Sequence, residues 1–267
     1  MAKVLKNLLS DYGYNLVALP KEDIKPLMLL YKNGSSVSAL DSTVDKLFSI
    51  ADAPLPVVIR DRVVTGIEGG ASVIFDAEGG LTMLDWLLNA LKMGKSSLKA
   101  GVGALHKVKI TYENVREDKV SLLELDSFIS GSDPVPGKFN TFKEKLENGE
   151  LYVINNVLKS NSFSVAIEDV TGSHVDIEAN IRGIVDANVD MSRNKNNELT
   201  LRHSHTDTYV AFAVKAQQIL YDQKDWWQFF KKKEAQFRIK DQQGVILRGE
   251  DKFPTKSLQI GEAGVDI

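Results

Sequence analysis

The sequence predicts an α+β fold: a twisted central antiparallel sheet, short helices around it, and two long β-hairpin regions. Three observations carry this. Apolar and polar residues alternate over long stretches, at 67–77, 98–112 and 174–191, the period-two signature of strands with one apolar face. Helical spacing is confined to short pieces such as LTMLDWLLNALKMG at 81–94. The long alternations also fall into two units, 66–113 and 162–206, and the second turns back at NKNN.

Taken in order, residues 3–12 read as a short helix with Val4, Leu5, Leu8, Leu9 and Tyr12 on one face. YNLVALP and KPLMLLYKNG read as two strands around a polar connection, with Pro20 and Pro26 at its edges. Residues 33–56 mix Ser, Asp, Pro and Gly with a helix-like piece, VDKLFSIA. Ile67, Gly69, Ala71, Val73, Phe75 and Ala77 then form the first alternating set. Leu84, Leu87, Leu88 and Leu91 follow at helical spacing, with Gly94 as a stop, so a helix is expected at 81–93. Leu98, Ala100, Val102, Ala104, Val108, Ile110 and Tyr112 make the next alternation.

GSDPVPG at 131–137 reads as a loop, and KFNTFKEKLENG as a helix with Gly149 beyond its end. LYVINNVLKS and SFSVAI are two strands that lead into HVDIEANIRGIVDANVDM. That stretch alternates for far longer than the five or six residues of an ordinary strand. NKNN is a turn, ELTLRHS the return strand, TYVAFAVKAQQILYD one more strand, and FRIK a closing one.

Composition excludes several classes of function. A net charge of −3 argues against general nucleic-acid binding. The 43% apolar content fills a core, and no run of about twenty apolar residues exists. The first residues lack the continuous apolar stretch of a signal peptide, and there is no cysteine; both fit a cytoplasmic protein. No cofactor is expected: GVGALH supplies only two glycines of a GxGxxG and lies within a strand pattern. His203 and His205 share a strand face with Asp207, the spacing of a metal pair, but without a third placed ligand they read as a solvated face. No nucleophile elbow is present, so no catalytic residue is assigned and an enzyme is not expected. DWWQFFKKK sets tryptophan beside lysine, which suits either a buried aromatic anchor or an interface with anionic lipid.

A bilayer-spanning strand needs about 9–11 residues, apolar toward lipid and polar toward the lumen. The long alternations meet that requirement, although a large one-sided sheet that never leaves water meets it as well. Only a closed barrel satisfies every backbone group in lipid. Two hairpins per chain are too few to close one, so a pore would need many copies and a device that keeps the monomer shut. The alternative is a soluble binding module with a regulatory tail.

The segment order resembles the gasdermins, and the bacterial gasdermins in particular. The likeness is carried by LVALPKEDIKPLMLLYK, by FNTFKEKLENGELYVINNVLKSNSFSVAI and by NELTLRHSHTDTYVAFAVKAQQILYD. This resemblance implies an autoinhibited protein, monomeric and cytoplasmic when intact. Cleavage by a caspase-like protease would let it form a large homo-oligomer, insert two hairpins per copy into the inner membrane and kill the infected cell as antiphage defence. It implies a first membrane-inserting hairpin with Ala71, Val73, Phe75, Ala100, Val102 and Ala104 toward lipid. The second would use Val175, Ile177, Val185, Ala187, Val189, Leu199 and Leu201. Bacterial gasdermins typically carry an acylated cysteine in the first few residues; this sequence runs Met1-Ala2-Lys3 and holds none, so no lipid-bearing residue carries over.

The tail fits the same scheme. Residues 1–247 are expected to form the pore-forming domain and 248–267 a C-terminal autoinhibitory peptide, anchored by Phe253, Leu258, Ile260 and Val265. The polar connection DQQGVILRGEDKFP places the expected cut near Leu247 and Arg248. Arg248 suits a trypsin-like protease and Leu247 an apolar pocket, while Asp241 and Asp251 keep Asp-specific cleavage open.

Overall fold

The computed structural model describes residues 4–7, 9, 12–33, 36–49, 54–64, 67, 71–76, 79–80, 82–84, 105–134, 138–169, 190–193, 199–203, 208–221 and 237–240. In chain order the first strands are β1 (Val4–Asn7), β2 (Asn15–Lys21), β3 (Met28–Asn33), β4 (Ser36–Thr43), β5 (Phe48–Ser49), β6 (Ile59–Val63), β7 (Ala71–Asp76) and β8 (Leu105–Glu113). They are followed by β9 (Arg116–Lys119), β10 (Asp133–Pro134), β11 (Leu151–Ser160), β12 (Ser162–Asp169), β13 (Asp190–Arg193), β14 (Leu199–His203), β15 (Val210–Tyr221) and β16 (Phe237–Lys240). The helices with described ends are α1 (Val44–Leu47), α2 (Leu122–Ser130) and α3 (Lys138–Glu147).

Two antiparallel sheets form the body, with a small β5–β10 pair beside them. The first has the order β1-β7-β8-β12-β14-β13. The second follows β16-β15-β11-β3-β4, with β2 also on β15, β9 on β11 and β6 on β9. β11 is long because one of its edges serves two strands in succession: Leu151–Val153 pairs with β3 and Asn156–Lys159 with β9, while β15 runs along the other edge. It is buried on both faces. Leu151 and Val153 feed a core under α2 and α3 with Leu125, Phe128 and Leu146. Tyr152, Ile154 and Val157 feed another with Val17, Leu30 and Val214. The third core lies between the two sheets.

Local signals explain the helix ends. Ser121 caps α2 by accepting the Glu124 amide, which answers one of the unpaired donors of a helix start. α3 stops at Gly149, whose φ of +64° is the left-handed conformation glycine adopts without strain.

The main departure from expectation is at the N-terminus, where 4–7 is a strand and not part of a helix. A helix of that length is marginal alone, whereas adding to the edge of β7 gives the backbone partners, with Val4 opposite Phe75 and Asn7 opposite Val73. β4, β6, β9 and α2 occupy segments with no strand or helix expected, and the loop at 131–137 contributes the short β10.

Candidate membrane-inserting sheet

The described strands of both hairpin units fall in the first sheet, and they are neighbours within it. β7 and β8 come from the first unit, β12 and β14 from the second, and the β8–β12 pairing joins them. The register aligns the apolar positions across the junction. Val73 stands opposite Ile110, Ile110 opposite Val165, and Val165 opposite Leu201. The next row runs Phe75, Val108, Ile167, Leu199. Polar rows alternate with these, one of them Ser72, Thr111, Ser164, Arg202, Asp190. The hydroxyls of Ser72 and Thr111 lie 2.8 Å apart.

Burial follows the rows. Ala71, Val73 and Phe75 are buried while Ser72, Ile74 and Asp76 between them are half-buried. Val108, Ile110 and Tyr112 are buried and Lys109 is exposed; Phe163, Val165 and Ile167 are buried with Ser164 and Ala166 less so. The apolar face is covered here by the second sheet, through Leu16, Leu158, Val210 and Phe212, and by Met83 and Leu84 of a helical piece at 79–84. That piece packs tightly: a Cβ on Gly80 would stand 2.1 Å from the Cβ of Val108.

Of the expected membrane-facing residues, the structure therefore brings Ala71, Val73, Phe75, Leu199 and Leu201 into one sheet. Ala100, Val102 and Ala104 of the first hairpin lie outside the described residues, as do Val175, Ile177, Val185, Ala187 and Val189 of the second. The expected cut at Leu247 and Arg248 and the anchors Phe253, Leu258, Ile260 and Val265 lie outside them too. β13 and β14 pair around the expected NKNN turn, with Arg193 opposite Leu199. His203 ends β14, whereas His205 and Asp207 are beyond the described residues.

Where the two sheets meet, polar side chains gather that sequence reasoning did not single out. Asn114 donates through Nδ2 to Asn161 Oδ1 at 2.8 Å and to the Tyr209 hydroxyl at 3.1 Å. Ser160 Oγ is in bonding reach of the carbonyls of Glu113 and Ser162. The only prior signal was an asparagine between two strand patterns, as in KSNSF. Beneath lies a buried carboxylate, Glu117, which accepts from the Tyr14 hydroxyl, from Asn156 Nδ2 and from Arg62 at 3.3 Å. Burial, reinforced by Glu117, pushes the Tyr14 hydroxyl far above its ordinary pKa. Lys215 sits 4.3 Å from the Tyr14 ring centre, and burial pulls its ammonium pKa down. Lys159 bridges Asp118 and Asp61, each at 2.9 Å.

Glu117, Asp118 and Lys159 are paired or hydrogen-bonded within the fold and Lys215 lies over the Tyr14 ring; none is a nucleophile set beside a base. Among the described residues no group of three His, Cys, Asp or Glu could hold a metal ion. Among them, too, no helix is long and apolar enough to cross a membrane, which says nothing about strands.

Comparison with known proteins identifies the family. The family model described as Bacterial Gasdermin Family matches residues 17–227. A gasdermin of Gillisia limnaea is 53% identical over 259 residues, covering 97% of both chains. A second, from an unknown prokaryotic organism, is 34% identical over 261 residues and again covers 97% of each. The solved structure of a bacterial gasdermin from Bradyrhizobium tropiciagri aligns over 80% of this chain and 85% of its own, at 12% identity and a TM-score of 0.48. Gasdermins are a pore-forming, non-enzymatic family. With a family match over most of its length and near-full-length relatives at this identity, the chain belongs to the bacterial gasdermin family.

Proposed function

We propose that this protein is an autoinhibited pore-former whose first sheet supplies the inserting strands. In the intact chain the apolar rows of that sheet rest on the second sheet. Proteolytic removal of residues 248–267 frees residues 1–247 to oligomerise, and the same rows then face lipid while the polar rows face a water-filled lumen. The target is the anionic inner membrane, the protease is caspase-like or trypsin-like with its cut near Leu247 and Arg248, and the outcome is death of the infected cell as antiphage defence. Phe253, Leu258, Ile260 and Val265 act as anchors of the inhibitory peptide.

The observation that carries the reading is the β8–β12 pairing, which joins both hairpin units into one antiparallel sheet with in-register apolar rows. A barrel needs every strand paired on both sides, and this junction supplies the pairing inside each copy.

Dye release from anionic liposomes tests it, comparing the full chain with residues 1–247 made by cutting at an engineered site. Leakage only after cutting is expected. Val185→Asp and Val189→Asp should each abolish leakage while leaving the intact chain soluble and folded, because a charge on the lipid-facing side is costly near the bilayer midplane. Leakage at the parent rate from both variants would remove the second hairpin from the membrane. No leakage from the cut parent would favour a binding module with a regulatory tail.

A further inference from the structure

The chain passes between the two sheets five times, and three of these crossings meet in one polar knot. β8 passes into β9 through Asn114, β11 into β12 through Asn161, and the chain from β14 enters β15 past Tyr209. The hydrogen bonds from Asn114 to Asn161 and Tyr209 tie these crossings together. Asn114 takes a left-handed φ of 48°, a conformation asparagine tolerates better than most residues. Among the described residues, the first hairpin unit leaves the first sheet for the second at Asn114 and the second unit does so ahead of Tyr209.

Two residues before Asn114 stands a group that works against closure. Tyr112 of β8 stacks on Phe212 of β15, ring centres 3.9 Å apart and planes within 5°, so the contact spans the two sheets. The Tyr112 hydroxyl is fully buried there and has no hydrogen-bond partner among the described residues. A buried hydroxyl without a partner forfeits its hydration and receives nothing in return. That penalty exists only while the sheets are packed together.

We propose that this seam is a hinge with two opposed elements. The Asn114–Asn161–Tyr209 knot holds the sheets closed, and the unpaired Tyr112 hydroxyl biases them toward parting. The link to membrane insertion rests on the pore-forming reading above; the account of the closed chain does not.

The test uses the full chain, with Tyr112→Phe and Tyr209→Phe as variants that keep ring volume and packing. Tyr112→Phe should raise Tm by about 2–4 °C. It should also slow amide hydrogen exchange in 105–113 and 162–169 about five-fold relative to 151–160. Tyr209→Phe should do the reverse in both measurements. An unchanged or lowered Tm for Tyr112→Phe would mean that the hydroxyl is satisfied, and the proposal fails. A uniform change of exchange in both sheets would also overturn it, because it would mark a change in global stability and not a hinge. After cutting, dye release should be slower than the parent for Tyr112→Phe and faster for Tyr209→Phe. If the cut parent does not leak, the pore-forming reading fails while the exchange data still judge the hinge; if it leaks and both variants match its rate, the hinge is wrong.

Discussion

Gly80→Ala should loosen the first sheet's cover, and the size of the effect follows from one contact. An added Cβ would lie 2.1 Å from the Val108 Cβ and 2.6 and 2.9 Å from its two methyl carbons. Non-bonded carbons rest about 3.5–4.0 Å apart, so the gap must open by more than an ångström. Val108 has no room to yield. It is fully buried, stiff at χ1 as a β-branched residue, and paired between Phe75 and Ile167. Helix propensity pulls the other way, since alanine is better than glycine in a helix by about 1 kcal/mol. Overpacking a core costs about 1–3 kcal/mol, and moving the 79–84 piece also exposes part of Met83 and Leu84, worth about 1.5–3 kcal/mol each when fully buried. The steric side wins by about 2 kcal/mol, a fall in Tm of roughly 4–8 °C for a chain of this size. Val108→Ala should not rescue it, because the closest atom is the Cβ that alanine keeps. Val108→Gly removes all three contacting atoms, so the double variant should lose less than the sum of the single losses. Thermal unfolding of the four chains decides the matter, and a parent-like Tm for Gly80→Ala alone would refute the reasoning.

Other expectations follow from the same structure. Glu117→Ala removes the acceptor for Tyr14, Asn156 and Arg62 and should lower stability by about 1.5–3 kcal/mol, read from the urea midpoint. Burial alone would lower the pKa of Lys159, but Asp118 and Asp61 outweigh it and raise it. A raised folded pKa gives stability that is complete below about pH 10.4 and lost as pH climbs through the folded value; Lys159→Arg stays charged and should lack that alkaline loss in urea titrations. Gly149→Ala meets a φ of +64° and a Gln218 amide nitrogen 2.6 Å from the new Cβ, and calorimetry should show a loss of about 1 kcal/mol or more.

The α+β class and the strands of the first sheet were legible because each buries one face. In β7, Ala71, Val73 and Phe75 alternate with less buried residues as the sequence does. The α3 helix and its glycine stop were legible from local rules. β6 and β9 were not, since IRDRV is exposed throughout and REDK buries Glu117 and Asp118 instead of apolar groups, so neither shows an apolar period. β1 misleads because Val4 and Leu5 fit a helical face, while its partner, β7, lies almost seventy residues on. α2 carries a readable cap, Ser121 with Glu124 three residues later, that apolar spacing alone does not bring out. The candidate sheet's apolar residues could be named from alternation, but the β8–β12 junction could not. A period of two says which face a residue takes, never which strand lies beside it.

The pairing of β2 with β15 has a consequence for how the chain is made. Asn15 finds its partner in Val214 and Leu16 in Ala213, and among the described residues β2 pairs with no other strand. A ribosome adding 5–20 residues per second releases Val214 roughly 10–40 s after Asn15. Until then β2 has nothing to pair with, and β11 lacks the strand along one of its edges. Closing such distant pairs is also the slow step of β-rich folding. The nascent chain therefore spends most of its synthesis without the cover that later buries the apolar rows. The packing of β2 and β11 on β15 arrives as one late event, after most of the chain has been translated.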